Sequence, residues 1–333
     1  MENKLEHSSS FPEIKIENAA FIALIIALLS IGFAPILMKF SITEIGAIAT
    51  TFNRFWLAGL FFGMWNGVNK FRQNRSNQKP DQQQPIYTLK TVGLLLLVGG
   101  LFALIQIFWA LSLTQTSVAS SVTILHGLRP LLTTLGGWFL FKKCYDSRFL
   151  IGMIIAILGA ILIGFNDFSE SIYKFQGDLL SVISAIFSTI ELLIMEHLLT
   201  QFKTRTLMLW CCIIGSLATL MVLLFFNIFI TKIFFLPISW QGWGVVVALA
   251  FFSQVIGHGL ITYSLNYLSS GVVAVTMLLD PVISAIFAWI ILSEQISLVS
   301  GLFCCIVLLG IYVSLSSKYA VKADVADAEL LLD

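Results

Sequence analysis

Eight side chains that ionise or hydrogen-bond strongly are stranded inside long apolar runs: Arg54, Gln106, His126, Arg129, Glu191, Gln254, His258 and Asp280. A charge at the centre of a bilayer costs about 2.5–3.5 kcal/mol even on the lenient insertion scale. If these runs lie in lipid, Arg54, Arg129, Glu191 and Asp280 must turn inward, toward one another or a wet cavity. Two are basic and two acidic, so the set sums to zero. Arg129 and Asp280 stand at matching places in two similar stretches and are expected to meet as a buried, hydrogen-bonded pair. That pair either binds a ligand or fixes helix packing.

His126 lies three residues before Arg129 and shares its helix face. It suits substrate binding or proton relay, because imidazole changes charge near neutrality; a neutral core histidine is the plainer alternative. Glu191 is a lone carboxylate in IFSTIELLIM with Ser188 close behind. It either exchanges protons with one side of a membrane or packs against Arg54. Gln254 and His258 share one helix face, with Tyr263 rather to the side. Gln106 and Trp109 are three apart in the run that matches it. Aromatic walls with a few amide and hydroxyl groups suit a pocket for a small polar organic molecule. Ordinary packing competes with that reading in a chain holding 28 Phe and 8 Trp. Pro130 and Pro281 directly follow Arg129 and Asp280. Each removes a backbone N–H and is expected to free the carbonyl four residues earlier, at His126 and Met277. These helices should kink and either gate a path or line a cavity with backbone.

Several chemistries are excluded. The chain has no GxxxxGK[ST] phosphate loop, no HExxH zinc motif and no GxSxG nucleophile elbow. Its four histidines show no metal-site spacing. The cysteines, Cys144, Cys211–Cys212 and Cys304–Cys305, match neither a zinc site nor a disulfide framework. No catalytic constellation, metal or cofactor is therefore expected, and the chain is not expected to be an enzyme. A net charge of +1 argues against nucleic-acid binding.

The elements that must position these residues are membrane helices. Hydrophobic residues make up 58% of the 333 and charged ones only 11%, against roughly 25% charged in soluble domains. Ten runs reach the length needed to cross a hydrocarbon core: Ala19–Met38, Glu44–Met64, Thr91–Leu113, Val118–Phe141, Phe149–Phe165, Asp178–Met195, Thr206–Phe226, Gln241–Ser264, Gly271–Leu292 and Ile296–Leu315. The Asn- and Gln-rich segment Asn66–Pro85 reads as a disordered linker. With the N-terminus in the cytoplasm, 14 Lys and Arg fall on the cytoplasmic side and three (Lys39, Lys174, Lys232) on the other. The positive-inside bias therefore puts both termini in the cytoplasm. No cleavable signal or transit peptide is evident, and the plasma (inner) membrane is the expected location.

The chain reads as one design used twice. ALSLTQTSVASSVTILHGLRPLLTTLGGW from Ala110 is matched by YSLNYLSSGVVAVTMLLDPVISAIFAW from Tyr263, and both Pro130–Pro281 and Trp138–Trp289 are 151 residues apart. Five spans per copy is odd, so the second copy enters upside down relative to the first. The expected fold is an all-α integral membrane protein, ten transmembrane helices in two inverted five-helix repeats. Residues 1–18 form a cytoplasmic segment and 19–165 the first repeat, with its linker at 66–85. Residues 176–316 form the second repeat and 317–333 an acidic cytoplasmic tail.

The duplication, the proline-centred fourth and ninth spans, the run SSGVVAVTMLLDPVISAIFAWIILSEQIS and the QGD opening at Gln176–Asp178 resemble the EamA family of the drug/metabolite transporter superfamily. The first copy departs from the pattern, with Lys143 where the second has Glu294. The resemblance implies a basket of helices around a central cavity and secondary transport, often export, of amino acids or other small metabolites. The expected partners are a small-molecule substrate and the lipid bilayer, and a homodimer is compatible with the chain. Two other readings stand beside transport of a small polar metabolite. A nucleotide-sugar or sugar-phosphate exchanger would want more cavity cations than two arginines balanced by two acids. A non-transporting sensor or scaffold would have no need of buried charge.

Overall fold

The computed structural model describes residues 10–75, 87–116, 118–141, 145–165, 172–229, 234–292 and 298–316. Helices form all the regular structure among them: α1 Ser10–Gly32, α2 Ala34–Ile45, α3 Ala47–Arg75, α4 Leu89–Ser112, α5 Val118–Phe141, α6 Ser147–Phe165, α7 Ile172–Leu198, α8 Thr204–Phe229 and α9 Trp240–Ala248. A π-helical segment, Leu249–His258, then leads into α10 Gly259–Ser264, followed by α11 Ser270–Thr276, α12 Leu279–Leu292 and α13 Leu298–Leu315. Each of the ten expected runs is helical over most of its described length. Among the described residues five stretches combine length and apolarity enough to cross a bilayer: Asn18–Ile45, Leu89–Ser112, Phe175–Leu198, Thr204–Ile228 and Trp240–Ser264. The chain is therefore multi-pass in its make-up.

The distribution of polarity is inverted relative to a soluble protein. Ile22, Ile25, Ile26 and Leu29 form an exposed stripe on α1, and Leu217, Met221 and Leu224 do the same on α8. Inside lie Arg54, Gln106, His126, Arg129, Glu191, Gln254 and Asp280. Water would not tolerate the first set nor lipid the second, and hydrocarbon outside with a polar interior satisfies both.

Some boundaries differ from the sequence reading. The first run breaks at Phe33, because Pro35 near the start of α2 lacks the N–H that would continue the ladder. The carbonyl of Gly32 at the end of α1 instead accepts the Ser284 hydroxyl, at 3.4 Å. The supposed linker begins late: residues 66–75 continue α3, with the Asn69 side chain donating back to the Trp65 carbonyl. Residues 76–86, like Lys143, Glu294, the first nine residues, the acidic tail and the side chain of Trp289, lie outside what the structure describes.

The helix pairings map onto themselves when the two halves of the chain are exchanged. The α3–α8 and α6–α13 pairs are their own counterparts. Packing of α4 on α7 corresponds to that of the π segment on α1, α4 on α8 to the π segment on α3, and α5 on α7 to α12 on α1. The α6–α13 contact brings backbone against backbone. A Cβ at Gly152 would run into the backbone of Gly310 and Ser314, and one at Gly310 into that of Ala156 and Gly152. Small residues permit this approach, which drives helix association where no hydrophobic effect operates between helices.

Two ties close the ends of the bundle. At one end Glu44, in the last turn of α2, accepts the N–H groups of Ile238 and Ser239, both at 2.7 Å, and the Ser239 hydroxyl at 2.9 Å. Ser239 in turn caps α9 through the Gly242 N–H. At the other end, the corresponding contact is one hydroxyl-to-amide bond from Thr91 to Gln201, at 3.4 Å. The QGD opening also has a physical role. Gly177 lies too close to Thr116 and Gln115 to carry a side chain, and Asp178 accepts the Thr116 hydroxyl.

Candidate functional site

Arg54 is wholly buried on α3 and organises one half of the interior. Its Nε donates to Gln254 Oε1 at 2.9 Å, one Nη to Gln106 Oε1 at 2.8 Å and the other to Ser253 Oγ at 2.8 Å. The acceptors come from α4 and the π segment, so three elements meet on one guanidinium. His258 Nδ1 sits 3.4 Å from the same Nη and 2.9 Å from the Ser253 carbonyl. The shorter contact assigns the proton to Nδ1, donating to the carbonyl. The longer one is then an approach of two donors.

The π segment explains why Ser253 belongs here. Its wide turn bonds residue i to i+5, which stacks His258 over Ser253 and turns Ser253 and Gln254 toward Arg54 together. A 3.6-residue period finds Gln254 and His258 but not Ser253. Such wide turns cluster at functional sites.

The second half of the interior joins α5, α7 and the α11–α12 break. The expected direct contact between Arg129 and Asp280 is not formed. Asp280 Oδ2 pairs instead with His126 Nε2, at 3.1 Å. Arg129 donates from Nε to Ser188 Oγ and from Nη1 to Met277 Sδ, both at 2.9 Å. Both Asp280 and Glu191 remain near enough to act on Arg129 electrostatically. The repeat equates the positions of Arg129 and Asp280 but does not aim their side chains, and His126, one turn earlier on α5, reaches the carboxylate first. Glu191 is likewise corrected: it lies by Arg129, not Arg54, and lines a small cavity of about 20 Å³ with Arg129, His258 and Met277.

The prolines behave differently in the two copies. Pro130 sits inside the unbroken α5. Pro281 falls in the first turn of α12, after a break at Met277–Leu278. The Met277 carbonyl expected to be freed there accepts the Asp280 N–H at 3.0 Å. The break itself thus re-satisfies the backbone that the proline would have stranded.

Between the two halves lies a small cavity of about 30 Å³, the share of about one water molecule in the liquid. Arg54, Gln106, Trp109, His126, Arg129, Ser253, His258 and Asp280 line it, with Ala34 and Pro35 from the break in the first run. Three buried polar atoms of its lining residues have no hydrogen-bond partner among the described residues: Trp109 Nε1, His126 Nδ1 and Asp280 Oδ1. Leaving such groups bare costs about 1–3 kcal/mol each, so together they mark a place built to meet something. Tyr263 is not part of it. It stacks edgewise on Tyr267, with ring centroids 5.4 Å apart, and faces a lateral groove. Sequence reasoning misses Ser253 altogether; it names Ser188 only beside Glu191 and Met277 only for its carbonyl, neither as a partner of Arg129. Serine and methionine in an apolar run carry no signal, since both pack without penalty. Among the described residues no cluster of His, Cys, Asp and Glu could hold a metal ion.

The family model of the EamA-like transporter family matches residues 18–165 and again 175–316. One solved structure, described only as the crystal structure of a protein, covers 89% of this chain and 97% of its own at a TM-score of 0.67. At 16% identity this is a likeness of fold. No curated protein matches the chain.

Proposed function

We propose a transport role from the premise that this chain belongs to the EamA-like transporter family. It is a secondary active transporter that exports a small polar metabolite, an amino acid or related compound, by alternating access across the plasma membrane. It acts through ten spans in two inverted five-helix repeats with both termini cytoplasmic. The exchangeable helix pairings and the Lys/Arg bias support that arrangement.

The observation that carries the reading is the set of unpartnered polar atoms lining the small cavity, on Trp109, His126 and Asp280. A guanidinium has five N–H donors, and Arg54 spends three on its scaffold. The remaining two, with the Trp109 Nε1–H, suit a carboxylate. Asp280 Oδ1 suits an amino or hydroxyl donor at the other end of the same molecule. At about 30 Å³ the cavity cannot hold such a ligand, because small-molecule pockets run to about 300–1,000 Å³. On this reading the walls part to admit the ligand, and the helix breaks at Phe33 and Met277–Leu278 are where they can do so.

The test is to compare metabolites in cells and medium with the wild-type protein overproduced beside Asp280→Asn and Trp109→Phe variants. One compound should accumulate outside with the wild type, and about ten- to a hundredfold more slowly with Asp280→Asn, the loss expected for a charged hydrogen bond. No extracellular shift in any compound would sink the export reading. An undiminished shift with Asp280→Asn would leave transport standing and make Asp280 a packing residue.

A further inference from the structure

Outside the polar interior lies a groove of about 600 Å³ between α3, the π segment, α10 and the turn into α8. Phe61, Trp65, Phe251, Ile256 and Leu260 give it an almost wholly apolar lining. Trp65 and Phe251 are also solvent-accessible, at 53% and 38%, so the groove is open sideways, where lipid would be. One end is different in kind, because Lys203 and Arg205 stand there beside Thr204. The Asn66 amide holds the backbone of Arg205 by its carbonyl, at 3.3 Å, which fixes that end against α3.

An apolar slot that opens to the bilayer and ends in two cations is complementary to one molecule class: an acyl chain joined to an anionic headgroup. We propose that this groove is a binding site for an anionic phospholipid, its chain along α3 and the π segment and its phosphate at Arg205 and Lys203. Basic recesses between membrane helices recognise acidic headgroups in this way. On the charge bias of the sequence, this end faces the cytoplasm. The site would bear on the polar interior mechanically. Phe61 and Trp65 follow Arg54 along α3, and Ile256 lies between Gln254 and His258 in the π segment. A bound chain thus rests against the two elements that hold the Arg54 cluster from behind.

The position of Trp65 supplies the probe. The protein is placed in bilayer nanodiscs of phosphatidylcholine containing rising fractions of lipid brominated along the chain, either phosphatidylglycerol or phosphatidylcholine. Quenching of Trp65 is read as the difference between wild type and Trp65→Phe. Brominated phosphatidylglycerol should quench at about one-fifth the mole fraction or less, the preference expected of a single basic residue near the surface. Arg205→Gln should reduce the preference by about fivefold, and Ile256→Phe, which narrows the slot without adding a tryptophan and is read against Ile256→Phe/Trp65→Phe, should reduce it too. Equal quenching by the two lipids overturns the proposal, as does a preference that Arg205→Gln leaves undiminished. A preference abolished by inorganic phosphate but not by chloride at equal ionic strength would reveal a free-anion site and overturn it too. Because quenching is read without transport, its failure is distinguishable from failure of the export reading.

Discussion

Arg54 shows how a buried cation can be held without a carboxylate. Its three hydrogen-bond acceptors are neutral oxygens, so its charge stays available to an incoming anion while its geometry is fixed from three sides. Replacing it with leucine would orphan Gln106, Gln254 and Ser253 together, at about 1–3 kcal/mol for each buried group left unsatisfied. Arg54→Leu should therefore lower the thermal midpoint in detergent more than Arg54→Lys, which retains a cation able to reach some of the same oxygens. An Arg54→Leu protein as stable as wild type would show that the network is not structural. The stranded polar residues were legible in the sequence because lipid makes each of them expensive. Their partners were not. Placing Arg129 and Asp280 at equivalent positions said nothing of rotamers, and a three-residue step to His126 decided who met Asp280.

At the scale of the helices, hydrophobic length located every run, and proline chemistry foresaw trouble at Pro281. It overlooked Pro35, whose Gly-Phe-Ala-Pro context is as good a break signal as any in the chain. The π segment had no sequence signature, since its wide turn answers to what packs around it. The α6–α13 seam was also hidden, because Gly152, Ala156, Gly159 and Gly310 read as ordinary small residues until two backbones are seen to touch. A Gly310→Leu substitution drives a side chain into the Ala156 backbone. It should cost at least the 1–3 kcal/mol typical of overpacking, read as a lowered midpoint and a shift toward aggregate on size exclusion. The same substitution at Gly100, where an added Cβ meets nothing within 4 Å, should be tolerated. Equal tolerance at both sites would deny the seam its importance.

For the molecule as a whole, the halves are alike in packing and unlike in fastening. One end is tied by a carboxylate that accepts two backbone N–H groups and a hydroxyl; on the other the matching contact, between Thr91 and Gln201, is longer and neutral, as are the bonds from Asn66 to Arg205, Trp210 to Tyr87 and Asn266 to Thr204. Charge-assisted bonds are roughly twice as strong as neutral ones, so the Glu44 end should open less readily. Glu44→Gln should increase thiol labelling of a cysteine placed at Ala34, beside the cavity, by a reagent added from the Glu44 side. Unchanged labelling would remove the tie from any gating role.

The π segment leaves one more consequence. A helix whose turns take up extra residues carries slack of about one residue relative to the α-helix that could span the same height. Deleting Val255 would draw out that slack, and Gly259–Ser264 could keep their seats against α1 and α8. Deleting Ile105 from α4, which has none to give, would swing every later side chain by roughly 100°. The first deletion should leave a monodisperse protein with transport abolished, because Ser253 and His258 would no longer stack; the second should leave no folded protein at all. Bulk accommodation and substrate handling would then be separated by a single codon.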